Sequence, residues 1–216
     1  MIQKTHYDTF ISYLEKEDKN RAVQYALSLL EQKSLTIEAL YEDILAPSLL
    51  FFACKLEDQA ICIWKEHTRT SIIRTILEAT YPYIIERTAA VKKRNRKVVV
   101  VCPQEEYHEI GAIMATHYFI LAGFNAQYIG ANTPKEEIVS AARVLKPDYL
   151  ALSVTNYYNL FTTRRVVEEV KRDYPHVTII IGGQAFTQKG ATDHIPFDIH
   201  LEHMKDIFLL ESEVTR

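Results

Sequence analysis

Val98-Val99-Val100-Val101-Cys102, followed after a short connection by Glu106-Tyr107-His108-Glu109-Ile110-Gly111, is the stretch that decides how this chain folds. An unbroken β-branched run reads as a strand buried on both faces, the kind that fills parallel sheets. From Ala112 to Leu121 apolar residues recur at helical spacing. The segment is therefore strand, loop, helix, with His108 on the loop leaving the strand's C-terminal end. Open α/β sheets bind their ligands at such loops. A carboxylate two residues earlier, Glu106, can hold one ring nitrogen and leave the other to a metal. A loop histidine beside an acid is also an ordinary surface pair, so the rest of the chain has to choose between the two readings.

On the C-terminal side the same alternation continues. Strands are predicted at Val98–Cys102, Ala126–Ile129, Tyr149–Val154, Val177–Ile181 and, briefly, Asp198–Leu201. Helices are predicted between them. Thr133-Pro134-Lys135-Glu136 has the form of a helix start, with a threonine cap, proline in the first helical position and glutamate three after the cap. Asn159 is expected to cap a helix running to about Arg172, which Pro175 helps to end. Alternating strands and helices imply a parallel sheet covered on both faces, Rossmann-like or flavodoxin-like. No GxGxxG follows the first strand, which argues against a dinucleotide.

On the N-terminal side, residues 1–90 contain no glycine and no convincing strand. Helical periods fit Tyr7–Leu14, Ala22–Leu30, Leu40–Cys54 and a long segment, Ala60–Ile85. In the last, Ile61, Trp64, Thr68, Ile72, Ile76, Ala79 and Tyr83 form an amphipathic stripe. Pro47 and Pro82 predict a kink or break. Four helices with short connections imply a four-helix bundle. Lys92-Lys93-Arg94-Asn95-Arg96-Lys97 reads as a solvated linker rather than a nucleic-acid patch. The expected class is thus α plus α/β: a bundle over 1–90, a linker at 91–97, and a five-stranded parallel sheet domain over 98–216.

Bulk composition narrows the partners. Of 216 residues, 48% are hydrophobic and 25% charged, the balance of a globular protein. A net charge of -3 leaves no electrostatic footprint for nucleic acid. Cys54, Cys62 and Cys102 lie in apolar segments without a CxxC pair, which suits core thiols in a reducing cytoplasm. The N-terminus lacks a signal-peptide layout, and no apolar run approaches membrane-spanning length.

Three strand ends carry unusual residues. The first loop holds Glu106, His108 and Gly111. The third strand ends Ser153-Val154-Thr155, with hydroxyls at alternate positions and so on one face. The fourth ends Gly182-Gly183-Gln184-Ala185-Phe186, where two residues without Cβ permit a close approach or simply a tight turn. All three fall at one edge of the sheet and line a common crevice.

ExHxxG, then SxT, then GG resembles the DxHxxG…SxL…GG pattern of cobalamin-binding domains, and the resemblance covers the whole second half. In that family the histidine replaces the cofactor's own benzimidazole as lower ligand to cobalt, and the displaced nucleotide tail lies between the serine and the double glycine. The resemblance implies that His108 is the cobalt ligand, that Glu106 orients it, and that Gly111, Ser153, Thr155, Gly182 and Gly183 line the cofactor's seat. Glu106 stands where aspartate is usual, adding one methylene, and Thr155 replaces leucine. The first half is similar to the helical cap that covers the upper face of the corrin. Within this family, the sensory branch typical of light-responsive MerR-type carotenoid repressors has tryptophan, nine residues, then Glu-His. Glu66-His67 and the Gly182–Phe186 ending match it, as Ala46-Pro47-Ser48-Leu49-Leu50 does the branch's "P-a-l" turn. Leu56 occupies the tryptophan position, Glu57 follows it, and Trp64 is too close to Glu66 to substitute.

The resemblance implies a cytoplasmic cobalamin sensor or regulator, binding adenosylcobalamin or methylcobalamin, with no catalytic residue of its own. The bundle pattern begins almost at Met1, with no helix-turn-helix ahead of it. Output is therefore expected through homo-oligomerisation or a separate effector protein, without direct nucleic-acid or membrane binding. A corrinoid carrier of a methyltransferase system fits the same length and domain order, and a domain binding another tetrapyrrole remains open. His200, Glu202 and His203 are a candidate metal cluster or, more simply, polar residues at a strand end. His117 is expected to be packed or solvent-facing. Tyr107, Tyr157 and Tyr158 flank the crevice and either shield the cofactor or stack on a second planar ligand.

Overall fold

The structure, a computed structural model, describes residues 2–50 and 59–210. It divides into two compact units, Met1–Glu86 and Arg87–Arg216.

The first unit is helical. Helices α1 (Ile2–Glu15) and α2 (Lys19–Glu31) are followed by α3 (Ile37–Ala39), a π-helical segment (Leu40–Leu45), α4 (Ala46–Leu50) and the long α5 (Gln59–Thr88). Asp18 caps α2 by accepting from the Arg21 N–H, and Thr36 caps α3 by accepting from the Ala39 N–H. Pro47 acts within a helix rather than ending it. The widened turn just before it lets the Ala46 N–H reach back to the Tyr41 carbonyl. Pro82 does not interrupt α5 either. It lies on the exposed face, as does Glu78, whose carbonyl loses its donor and is left to water. The buried face of α5 keeps Ile72 and Ile76 of the predicted stripe but not Trp64. Ile72, Ile73, Ile76, Leu77, Thr80 and Ile84 are buried, whereas Trp64 is 46% exposed and Ile63 69%. The unit's core joins these to Phe10, Leu14, Ala26, Leu29, Leu40, Ile44 and Leu45. Within it the hydroxyls of Tyr41 and Thr80 bond at 2.5 Å, satisfying a buried polar pair.

The second unit is a five-stranded sheet in the order β2-β1-β3-β4-β5, parallel throughout. Its elements are β1 (Lys97–Val101), α6 (Ile110–Leu121), β2 (Asn125–Tyr128), α7 (Lys135–Leu145), β3 (Tyr149–Ser153), α8 (Leu160–Asp173), β4 (Thr178–Gly182) and β5 (Ile199–Leu201). Strand bounds fall within one residue of those expected. Val99, Val101, Leu150, Leu152, Ile179 and Ile181 form one core with Ile138 of α7 and Val166, Val167 and Val170 of α8. By the two-residue period Val98 and Val100 face the other side, where α6 packs. Burial on both faces explains why the strands read as continuous apolar runs.

Two helix starts differ from expectation. Pro134, not Thr133, is the cap of α7, and no side chain caps it. Thr133 is drawn away: its N–H donates to the Cys102 carbonyl and its hydroxyl to Gly130. Asn159 does stand at the cap of α8, but its side chain bonds elsewhere. The charge run is not merely solvated. The Arg94 guanidinium donates to the carbonyls of Phe208 and Leu210 and lies 4.8 Å from the Phe124 ring. Arg96 pairs with Asp148 at 2.8 Å, and Lys97 opens β1. Cys102 is a buried thiol as expected, whereas Cys62 is disulfide-bonded, which corrects the reading of all three cysteines as core thiols. No described helix is long and apolar enough to cross a membrane.

Candidate functional site

In the order β2-β1-β3-β4-β5 the chain leaves β1 toward one side and later returns to β3 on the other, so the loops after β1 and β3 part and leave a crevice. Both loops are organised by one side chain. Glu106 is fully buried. Its Oε1 accepts from His108 Nδ1 at 2.5 Å and from the His108 N–H at 3.0 Å. Its Oε2 accepts from the Thr155 N–H at 2.9 Å, the Asn156 N–H at 2.8 Å and Asn159 Nδ2 at 3.2 Å. Burial pushes the Glu106 carboxyl up, but these hydrogen bonds, led by that from the His108 ring, outweigh it and bring it down to about 2. Glu106 is therefore ionised and can only accept, which makes Nδ1 of His108 the donor and puts the ring's lone pair on Nε2. The His108 side chain is 52% exposed. The Glu106 carboxylate thus joins the β1 loop to the β3 loop.

Neighbouring loops brace the arrangement. The Asn132 N–H donates to the Glu106 carbonyl at 2.9 Å, and Asn132 Oδ1 accepts from the Glu105 N–H at 2.8 Å. Tyr128 donates to Glu109 at 3.0 Å. The Cys102 thiol lies beneath the loop, 3.8 Å from the His108 carbonyl, and burial pushes it up to about 12, so it stays protonated.

The small residues meet at the same edge. Ser153 is the register partner of Gly182. A Cβ built on Gly111 would stand 3.7 Å from Ser153 Oγ, an ordinary contact, so the start of α6 passes over that hydroxyl with little between them. Gly183 answers to something else. At φ +111° it presses on the β3 backbone, and a Cβ there would lie 2.4 Å from the Val154 carbonyl oxygen. What approaches this glycine closely is the protein's own chain, with the Ala185 N–H donating to that same oxygen. Thr155 enters the site through its N–H.

Sequence reasoning missed Asn156, and it read Asn159 as a helix cap. Nothing local distinguishes that role from this one; only the fold brings Asn159 to Glu105 and Glu106. Glu66 and His67 are exposed on α5 in the first unit. Leu56 and Glu57 lie outside the described residues. His200 packs edge-on against Phe186 and Phe197, and among the described residues no group of three metal-type side chains occurs, which favours the polar-edge reading of His200, Glu202 and His203. His117 is buried, and that burial brings it down to about 4. A cavity of about 420 Å³ at the opposite, N-terminal edge of the strands is lined by Arg96, Asp148, His176 and His200 among others. Its Arg96 and Asp148 are spent on each other and on β1.

Fold and site together define a Rossmann-like ligand-binding domain with an acid-held histidine at its switch point. Residues 96–201 match the family described as B12 binding domain. Among curated proteins the chain is similar to the HTH-type transcriptional repressor CarA of Myxococcus xanthus, 22% identical over 185 residues, 86% of this chain and 57% of that protein. It is also similar to the repressor CarH of the same organism, 27% identical over 113 residues, 52% of this chain and 36% of that protein. The chain thus spans at most little more than half of these relatives. Among solved structures, the Methanosarcina barkeri monomethylamine corrinoid protein shares the fold over 98% of this chain and 99% of its own, with a TM-score of 0.78 at 14% identity. The methanol:cobalamin methyltransferase complex MtaBC of Methanosarcina barkeri matches with a TM-score of 0.51 at 16% identity, covering 95% of this chain and 77% of that one.

Proposed function

We propose that this protein is a cobalamin-binding regulator in which His108 is the lower ligand to cobalt. The observation that carries the reading is the ionised, fully buried Glu106 holding Nδ1 of a half-exposed imidazole at the switch point. The donor set fits the group. A neutral imidazole is a good cobalt ligand, and its tautomer is fixed by the carboxylate. The seam of Gly111, Ser153 and Gly182 offers a path of small residues for a nucleotide tail. Gly183 keeps the backbone beside that path close to β3, and Thr155 contributes its N–H to Glu106. When bound, cobalamin supplies a cobalt atom whose upper position carries an exchangeable ligand. Every other element of the site is this chain's own: Glu106 fixes the proton on Nδ1, and the His108 ring with the Asn156, His108 and Thr155 N–H donors keeps Glu106 ionised.

The regulatory part of the reading is supported by the likeness to repressors and by Glu66-His67, which we assign, with Leu56, to the upper side of the cofactor. Adenosylcobalamin or methylcobalamin is the form taken, with output through self-assembly or an effector protein. A second reading, a corrinoid carrier that shuttles a one-carbon group for a methyltransferase, is favoured by the full-length fold likeness to the monomethylamine corrinoid protein.

The test is the visible spectrum of the purified chain mixed with adenosylcobalamin, in the dark and after illumination, alongside its size in solution. A histidine-ligated spectrum that His108→Ala converts to a base-off or water-ligated form supports the cofactor assignment; identical spectra and retention overturn it. A change of assembly with light or with the upper ligand favours the regulator. Unchanged assembly, with methyl transfer to or from an added corrinoid methyltransferase, favours the carrier.

A further inference from the structure

Three tyrosines beside His108 have no task in the site as described. Tyr107 sits between Glu106 and His108 and is 68% exposed; Tyr157 and Tyr158 are 42% and 88% exposed. Both of the latter lie on one short 3-10 turn, Tyr157–Asn159, and that turn is fastened at each end. Asn156 Oδ1 accepts from the Tyr158 N–H at 3.1 Å, the Thr155 and Asn156 N–H groups bind Glu106, and the Asn159 side chain binds Glu105 and Glu106. The Thr163 hydroxyl closes on the Asn159 carbonyl at 2.8 Å. Because Glu106 also holds His108, the turn bearing Tyr157 and Tyr158 is fixed relative to the imidazole. Among the described residues, no hydrogen bond or ring contact engages the Tyr107, Tyr157 or Tyr158 side chains.

The pinned backbone holds the Tyr157 and Tyr158 rings at the mouth of the crevice, and large aromatics left wet there offer a surface to an apolar partner. Tyrosine presents a flat apolar face and a polar tip. That combination suits a ligand with an apolar skeleton and an amide fringe, which is the chemistry of a corrin rim.

We infer that Tyr157 and Tyr158 are specificity-determining contacts for the corrin, gripping its edge while His108 takes the metal. The inference rests on the cobalamin reading above. It assigns affinity to the tyrosines and ligation to the histidine, so the two are separable by experiment. Full-length Tyr157→Ala, Tyr158→Ala, the double variant and Tyr158→Phe are titrated with hydroxocobalamin and with cobinamide. Affinity is read by equilibrium dialysis, ligation by absorbance and folding by melting temperature.

Each alanine variant should bind about tenfold more weakly, the scale of one lost aromatic contact. Cobinamide should suffer similarly, because the corrin itself is what is gripped. The histidine-ligated spectrum and the melting temperature should not move, and Tyr158→Phe should fall between parent and alanine. If the parent binds and the double variant binds equally well, the inference falls while the cobalamin reading stands; the tyrosines then serve another occupant, such as a docking protein. If the variants lose histidine ligation along with affinity, the tyrosines act by holding the turn, and the contact role falls. Failure of the parent to bind either corrinoid removes both readings together.

Discussion

Glu106 concentrates more of this molecule's chemistry than any other residue. A buried carboxylate brought from the ordinary 4.5 down to about 2 stabilises the fold at neutral pH. Because the folded value is the lower one, that contribution is complete above about 4.5 and is lost as pH falls toward 2. The parent protein should therefore lose stability across that window, and Glu106→Gln should show a flatter dependence there. An amide must also turn its NH2 toward N–H donors, so Glu106→Gln should cost about 1–3 kcal/mol at neutral pH, measured by urea unfolding. Equal acid sensitivity of parent and variant would show that other carboxylates dominate. For cofactor binding, Glu106→Ala should weaken affinity about 10- to 100-fold, less than the loss from His108→Ala, because it orients the ligand without being one.

At the scale of elements, the two kinds of glycine make opposite predictions. Gly183 has a positive φ and no room for a Cβ against Val154, so Gly183→Val should disrupt the β3–β4 edge and lower the melting temperature sharply. The sequence left Gly183 as a point of close approach or a tight turn; the geometry makes Gly183→Val a folding variant. Gly111 lies in a helix with ordinary space around its Cβ position, so Gly111→Ala should fold as well or gain about 0.5–1 kcal/mol. It should nonetheless narrow the gap over Ser153 and weaken cobalamin more than cobinamide. If it affects neither, the seam is not the tail's path. On α5, Ile76→Ala should cost about 2–5 kcal/mol, whereas Trp64→Ala, at an exposed position, should cost little.

These contrasts mark where the sequence was informative. Strand positions were legible because residues buried on both faces leave an unbroken apolar run, as Val98–Val101 does. The stripe on α5 was misjudged because the helix is apolar on more than one face. Periodicity counted Trp64 with the core, while packing added Ile73, Leu77 and Ile84 to Ile72 and Ile76. His108, Glu106 and Ser153 could be found because each stands at or just beyond a strand's C-terminal end. Asn156 and Asn159 could not, because their function is a contact across some fifty positions of chain, and no local pattern encodes it.

At the scale of the whole molecule, a helical unit precedes a cofactor-binding unit, and the regulatory reading requires that the first respond to what the second holds. Glu66 and His67 lie exposed on α5. His67→Ala should therefore reduce retention of adenosylcobalamin more than that of methylcobalamin, measured by dialysis in the dark. With Leu56 in place of an aromatic lid, the parent should discriminate only weakly between the two, and Leu56→Trp should restore part of the preference. An aromatic face on adenine is worth about 0.5–1.5 kcal/mol, or up to roughly tenfold. If both substitutions leave the preference untouched, the helical unit does not read the upper ligand.

The double attachment of Glu106 also constrains how such a site changes over generations. One carboxylate answers to donors on two loops. A mutation to aspartate would shorten the bridge and leave one set of donors stranded unless the stretch from Val154 to Asn159 were rebuilt at the same time. Position 106 and that stretch are thus coupled through shared hydrogen bonds, and Glu106→Asp should hold the histidine or the turn less firmly.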